Sequence, residues 1–341
     1  MKHSRAYASI LLLAGCSSAN PPSVFPAGLP SVQAPETRQH PAIANVYVVT
    51  TQYGLGRRAS GKDQILRFSA GEDTSKPNMT VNLTESPAVG PAVNPKNGRI
   101  AFAVTDGSIQ VRNKDLVELY TISPHFGSYG FPISIAYDHA NNLWVGGWVG
   151  TDLGELFEYY GNDTTPDKTY HIPNVSADNP PYSVAFDRTD DLFVEGLQYV
   201  WAACNTGSGC SNTTIPSYSE FLDEYYAYLA PMAILGGGSR PLHLVAATSN
   251  SYIKYFAPSG TRITRKWHYT GRSRRCSDKY GMFIADLTSD SRDTLYLTCE
   301  VLGAGTTQGS ANGASTIVEL SPDGHKKIIS GLTNPDGAGA F

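Results

Sequence analysis

The sequence predicts an all-β protein, a six-bladed β-propeller closed by pairing of its N-terminal and C-terminal strands. Three observations carry that expectation. The stretch "FPISIAYDHANNLWVGG" (131–147) returns about fifty residues later as "PPYSVAFDRTDDLFVEG" (180–196). The 341 residues include 33 Gly and 22 Pro, as many short strands joined by tight turns require. The two ends of the chain each supply half of a hairpin.

The copies align on their first turn. Asp138 stands five residues before Leu143, Asp187 five before Leu192, and Asp290 five before Leu295. The first pair of aspartates is about one period apart and the second about two, so a degenerate copy belongs between them. "APMAILGGGSRPLHLVAAT" (230–248) fills that place, with a Gly-rich turn instead of an Asp turn. "GPAVNPKNGRIAFAV" (90–104) is an upstream copy, and "NPDGAGAF" (334–341) opens a last one, for six in all.

Each copy holds a strand, a tight turn and a more apolar strand. A second hairpin follows, opening on an apolar–charged–apolar strand: "QILRFSAG", "SIQVRN", "ELFEYYG", "YIKYFAPSG" and "TIVELSPDG". Their alternation is the period of half-buried strands. Four antiparallel strands per unit of about fifty residues is the composition of a propeller blade. "GAGAF" is a first strand with no second after it, and "ANVYVVT" (44–50) a second strand with no first before it. Paired, they complete the missing hairpin and leave no long open edge.

One repeat is irregular between Val194 and Pro231. Tyr218, Phe221, Leu222, Tyr225 and Leu229 share a face at helical spacing, and Ser217 with Glu220 fits a capping box. Against a helix over 217–229, "YSEFL" resembles the third strands of the other repeats. The ring needs a strand there, which favours the second reading.

The N-terminus reads as a processing signal. Lys2, His3 and Arg5 precede the apolar "AYASILLLAG", which is too short to span a bilayer and suits a secretory segment. "LLAGC" resembles the bacterial lipoprotein signal. That resemblance implies a signal peptide at 1–15, lipidation at Cys16 and attachment to the cell envelope. Ser17, where a retention Asp can stand, favours the outer membrane, facing the periplasm or the cell surface. Residues 16–43, rich in Pro and Ser after the cysteine, read as a tether lifting the propeller domain, 44–341, off the lipid. No internal apolar run is long enough to cross a membrane. A net charge of −4 gives no footprint for nucleic acid.

Cys204, Cys210, Cys276 and Cys299 remain after Cys16, and an even number in an exported protein points to disulfides. Cys204 and Cys210 bracket the loop "NTGSG". Cys276 precedes one strand and Cys299 lies on the next, so a hairpin would join them.

The units "PISIAYDHANNLWV" and "PYSVAFDRTDDLFV" resemble repeats of the NHL and SMP-30/gluconolactonase-like six-bladed propellers, and are related to streptogramin-lyase-like repeats. The resemblance implies the fold and a ligand face around the central channel; activity does not follow from fold. The metal motif of the SMP-30-like lactonases does not occur, and none of the eight histidines stands where the lyases place theirs. His171, His243 and His268 lie in strand-like runs as packed residues. No metal, cofactor or catalytic residue is therefore expected.

Residues before each first strand and after each second strand approach the channel mouth. These are Tyr129, Phe131, Trp148, Asp152, Tyr182, Glu195, Tyr199, Trp201, Tyr280 and Glu300. Aromatics with a few carboxylates suit sugar, peptide or amphipathic ligands. The turn acids recur once per repeat and serve turn geometry rather than calcium. "RITRKWHYTGRSRRCSDK" gathers cations on an outer hairpin, which could also meet an anionic lipid or polysaccharide. The expected function is a membrane-anchored, non-catalytic module binding a protein, peptide or carbohydrate. A metal-dependent SMP-30-like hydrolase is the alternative.

Overall fold

In the computed structural model the chain divides into two units, Met1–Pro41 and Ala42–Phe341. The described residues all lie in the second: 45–51, 53–54, 57–58, 62–69, 76–123, 125–126, 130–149, 153–171, 181–195, 199–205, 219–221, 231–247, 252–259, 266–275, 282–301, 315–322, 324, 326–332 and 335–340. The expectations for the signal, Cys16 and the tether fall outside them.

The described residues form strands and turns, with no helix among them. In chain order they begin with β1 (Asn45–Thr50), the short ribbon β2 (Tyr53–Gly54) and β3 (Arg57–Arg58), then β4 (Gln64–Ser69) and β5 (Met79–Asn82). A four-stranded antiparallel sheet follows: β6 (Pro87–Val93), β7 (Ile100–Val104), β8 (Ile109–Arg112) and β9 (Glu118–Ile122). The next contains β10 (Pro132–Tyr137), β11 (Leu143–Val149), β12 (Leu153–Tyr159) and β13 (Lys168–His171). Then come β14 (Ser183–Phe186), β15 (Asp191–Glu195), β16 (Tyr199–Asn205) and β17 (Ser219–Phe221). A further sheet holds β18 (Met232–Gly237), β19 (Arg240–Ala247), β20 (Tyr252–Ser259) and β21 (Lys266–Arg275). The last complete one is β22 (Met282–Ser289), β23 (Leu295–Val301), β24 (Ser315–Leu320) and β25 (Lys326–Leu332).

The final strand, β26 (Pro335–Ala340), has no following partner and returns to the start of the chain. It pairs antiparallel with β1, Val46 opposite Ala340 and Val48 opposite Ala338, giving the order β26-β1-β4-β5. The described strands thus make six four-stranded sheets and the two-stranded ribbon. The inner strands touch in the cyclic order β6, β10, β14, β18, β22, β26 and back to β6. The architecture is a β-propeller.

Burial explains the composition of the strands. Every residue of β7, "IAFAV", is buried because both faces of its sheet are covered. Side chains alternate between the two faces. Val46 and Val48 of β1 pack with Tyr296, Ile317 and Ile329, whereas Tyr47 and Val49 pack with Ile100 and Phe102 of the sheet on the other side. Six apolar clusters fill the gaps between consecutive sheets. An open stack of six sheets has five gaps, and the sixth lies where the two ends of the chain meet.

The irregular repeat corrects one sequence expectation. Its third strand is β16, "YVWAACN", and "SEF" of "YSEFL" forms the fourth strand β17, not the third. The alternating aromatic and aliphatic residues directly after β15 pair with it, Val194 opposite Trp201. The cysteine loop therefore connects the third and fourth strands.

Candidate functional site

The inner strands surround a cavity of about 490 Å³, lined by residues of β6, β10, β14, β18, β22 and β26. Each inner strand begins at one end of the cavity and leads into its first hairpin turn at the other. The two ends differ in chemistry.

The turn end is built on side-chain acceptors. Asp138 is fully buried; its Oδ1 accepts from the Asn142 amide at 2.7 Å and its Oδ2 from Trp144 Nε1 at 3.1 Å. Asp187 accepts from the Thr189 and Asp191 amides at 2.8 and 2.9 Å. Asp290 accepts from the Arg292 and Thr294 amides at 2.7 and 3.0 Å and from the Tyr296 hydroxyl at 3.2 Å. Asn141, Asp190 and Asp293, three residues on in each turn, have φ of 82°, 58° and 68°. Asn and Asp tolerate that left-handed region better than most side chains. The turn acids thus serve the geometry of the turns.

The same residues join neighbouring sheets. Asp190 Oδ1 accepts from the His139 amide and faces His139 Nδ1, both at 2.8 Å. Asn141 Oδ1 accepts from Asn94 Nδ2 at 2.7 Å. Arg188 reaches Asp293 with two hydrogen bonds of 3.3 and 3.2 Å, across the Gly-rich turn of the sheet between them. The hydrogen bond to Asp190 is the largest influence on His139 and raises its pKa above the usual histidine value.

The opposite end carries the aromatics. Phe131 is 42% exposed and lines the cavity, its ring edge-on to Trp148 at 4.9 Å and 89°. The Trp148 amide donates to the Phe131 carbonyl at 3.2 Å, while its enclosed Nε1 has no hydrogen-bond partner among the described residues. Tyr182 is half-buried and also lines the cavity.

Glu195 was expected at this mouth but is 1% exposed and does not line the cavity. It stands opposite Ser183 in the β14–β15 ladder. Its Oε2 has no partner among the described residues, and burial pushes its pKa well up. Tyr199 and Trp201 lie on the third strand β16 rather than on a connection at the mouth, because that strand starts four residues after Glu195. Their side chains, and that of Glu300 on β23, lie outside the described residues, as do Tyr129, Asp152 and Tyr280. Cys299 is buried on β23. Cys204 lies on β16 with its side chain outside the described set, which also omits Cys210 and Cys276. His243 lies half-buried on β19; the side chains of His171 and His268 are outside the described residues.

Sequence reasoning passed over Asp286 on β22. The β22–β23 register shifts between Ile284 and Asp286, and Asp286 is among the residues that line the cavity. It accepts from the Leu287 amide at 2.8 Å and from the amide of Ala338 on β26. Thr288 Oγ1 donates to the Ala338 carbonyl at 2.7 Å, so β22 grips both backbone groups of one residue in the ring-closing strand. Gly337 makes this approach possible: a methyl group there would stand 2.0 Å from the Gly90 carbonyl oxygen and 2.5 Å from Asp286 Oδ2. Burial pushes the Asp286 pKa up to about 7. The available signal was an acid inside an inner-strand run, "MFIADLTS". Among the described residues, no three His, Cys, Asp or Glu side chains stand together as a metal-binding group.

No protein-family model matches the chain, and a search of curated proteins finds no match. Among solved structures, a protein of unknown function from Bacteroides caccae is similar over 87% of this chain and 99% of its own, with TM-score 0.55 and 10% identity. The β-propeller domain of Cps50 (Swd1) from Myceliophteria thermophila covers 82% of this chain and 83% of its own at TM-score 0.48 and 7% identity. BamB from Moraxella catarrhalis covers 81% and 73% at TM-score 0.38 and 11% identity. At such identities the likeness to the Bacteroides protein speaks to fold alone.

Proposed function

We propose that this protein is a non-catalytic binding module of the bacterial cell envelope. It is a six-bladed β-propeller related to the NHL and SMP-30-like propellers, closed by its two terminal strands. A lipid on Cys16 and the tether 16–43 hold it at the membrane, with the outer membrane favoured. A sugar, peptide or amphipathic ligand enters at the aromatic end of the axial cavity. The observation that supports the reading is the half-exposed Phe131 ring, set against Trp148 at the rim of a cavity large enough for a small ligand. A Cys276–Cys299 bridge belongs to the same reading, supported by the burial of Cys299 on β23 and by the even number of cysteines that remain after Cys16.

The test uses the purified full chain against panels of envelope oligosaccharides and peptides, with Phe131→Ala and Trp148→Ala beside the wild type. At least a tenfold loss of affinity is expected in each variant, the cost of about 1.4 kcal/mol. Folded variants that bind every wild-type ligand unchanged would overturn the proposed site. Lipid attachment is checked by labelled fatty-acid incorporation, which Cys16→Ala should abolish.

A further inference from the structure

We infer that the axial cavity takes its ligand with an ammonium group against Asp286 and an apolar body along the inner strands. This rests on the channel-binding reading and narrows it to one chemical class.

The wall is mostly apolar, with the half-buried Ile133, Ile135, Ala136, Ala185 and Ala340 among the residues that form it. Four of its hydroxyls are engaged across strands. Ser134 donates to the Pro181 carbonyl at 2.7 Å, Ser183 to that of Met232 at 3.2 Å, and Thr288 to that of Ala338 at 2.7 Å. Ser289 donates to the Ile234 carbonyl at 2.9 Å. Of the two carboxyls in the wall, Asp290 is already held by three donors.

Asp286 differs. Two backbone amides hold it in place, while a carboxylate offers about four acceptor positions. No Lys, Arg or His is paired with it among the described residues. An enclosed carboxylate without a counter-ion is costly to ionise, and a ligand cation removes that cost. Its pKa of about 7 fits an acid waiting for such a partner.

The other titratable groups facing the cavity give the ligand a direction. His139 and Arg292 line the turn end, each beside a carboxylate, Asp190 and Asp290, so that the charges there are matched and give no added pull on a cation. Phe131 and Tyr182 line the other end, where aromatic faces attract one. The ammonium group therefore enters past the aromatics and stops at Asp286.

The test measures binding of three probes of equal length, hexylammonium, 1-hexanol and hexanoate, to the full chain at pH 8. The wild type is expected to bind hexylammonium about tenfold more tightly than 1-hexanol, as one charge-assisted hydrogen bond allows, and hexanoate most weakly. Asp286→Asn keeps the shape and an acceptor for Leu287; it should bring hexylammonium down to the level of 1-hexanol and leave 1-hexanol unchanged. The wild-type comparison stands by itself should the variant fail to fold. Equal or tighter binding of 1-hexanol by the wild type overturns the inference while leaving the channel reading intact. So does a preference for hexylammonium that survives in Asp286→Asn. Binding of none of the three overturns this inference, and the channel reading then stands or falls on the oligosaccharide and peptide panels.

Discussion

The turn between β10 and β11 and the turn between β18 and β19 occupy equivalent places, yet one takes the carboxylate that organises it from its own sheet and the other from the next. In the first, Asp138 accepts from the Asn142 amide and the Trp144 indole of its own sheet. The second has Gly236, Gly237 and Gly238, with φ of 81°, 94° and 62°, and no acidic side chain. Its Gly236 amide instead donates to Asp293 of the next sheet at 2.8 Å. The absence of side chains leaves room: a methyl group on Gly237 would stand 2.8 Å from Asp187 Oδ2 of the preceding sheet. Arg188 from that sheet and Arg240 from the Gly-rich hairpin converge on the same Asp293. A degenerate repeat can thus keep its geometry when a neighbour supplies what it lacks, at the cost of making two interfaces depend on one carboxylate.

Breaking the turn that supplies its own carboxylate should have the largest effect. Asp138→Ala leaves buried donors without partners and is expected to destabilise the protein by about 3 kcal/mol, read by urea unfolding. A loss under about 1 kcal/mol would show that water replaces the carboxylate.

The borrowed turn should respond less in size but with more coupling. Asp293→Ala is expected to cost about 2 kcal/mol. Since Arg188 acts through Asp293, a double-mutant cycle of Arg188→Ala with Asp293→Ala should give a coupling of at least about 0.5 kcal/mol. Additive losses would mean that the Gly-rich turn does not depend on the Arg188 bridge.

The smallest effect belongs to the clasp between His139 and Asp190, which sharpens the comparison through pH. The folded-state pKa of His139 is raised, so its contribution is fully present below the unfolded value near 6.5. It is lost as pH rises through the higher folded value. His139 is about one-third exposed, so solvent screening keeps the expected cost of His139→Gln to about 0.5 kcal/mol at pH 5.5, and less at pH 9. Equal costs at both pH values would rule out the charged clasp.

The repeat itself was legible because its signals are local. Asp138, Asp187 and Asp290 mark their turns by spacing alone, and the alternation of "NVYVVT" shows two buried faces without a partner in view. The mouth was only partly legible. Phe131 and Tyr182 line the cavity, but Glu195, the last residue of its strand, is buried and does not line it. Asp286 was missed because a bulge shifts the alternation of β22 just before it, and a bulge leaves no periodic trace in sequence. The third strand of the irregular repeat was misplaced because two nearby runs both alternate, and only pairing with β15 selects between them.

By itself, then, the sequence determined the repeating unit, its strands and turns, and the half-hairpin at each end, since these depend on residues a few positions apart. The tertiary structure decided which sheet supports the Gly-rich turn, which acid faces the axis, and how β22 grips β26. Those outcomes join groups such as Arg188 and Asp293, 105 residues apart, whose meeting depends on how whole sheets pack. Hydrophobic periodicity specifies that a face is buried; only packing specifies against what.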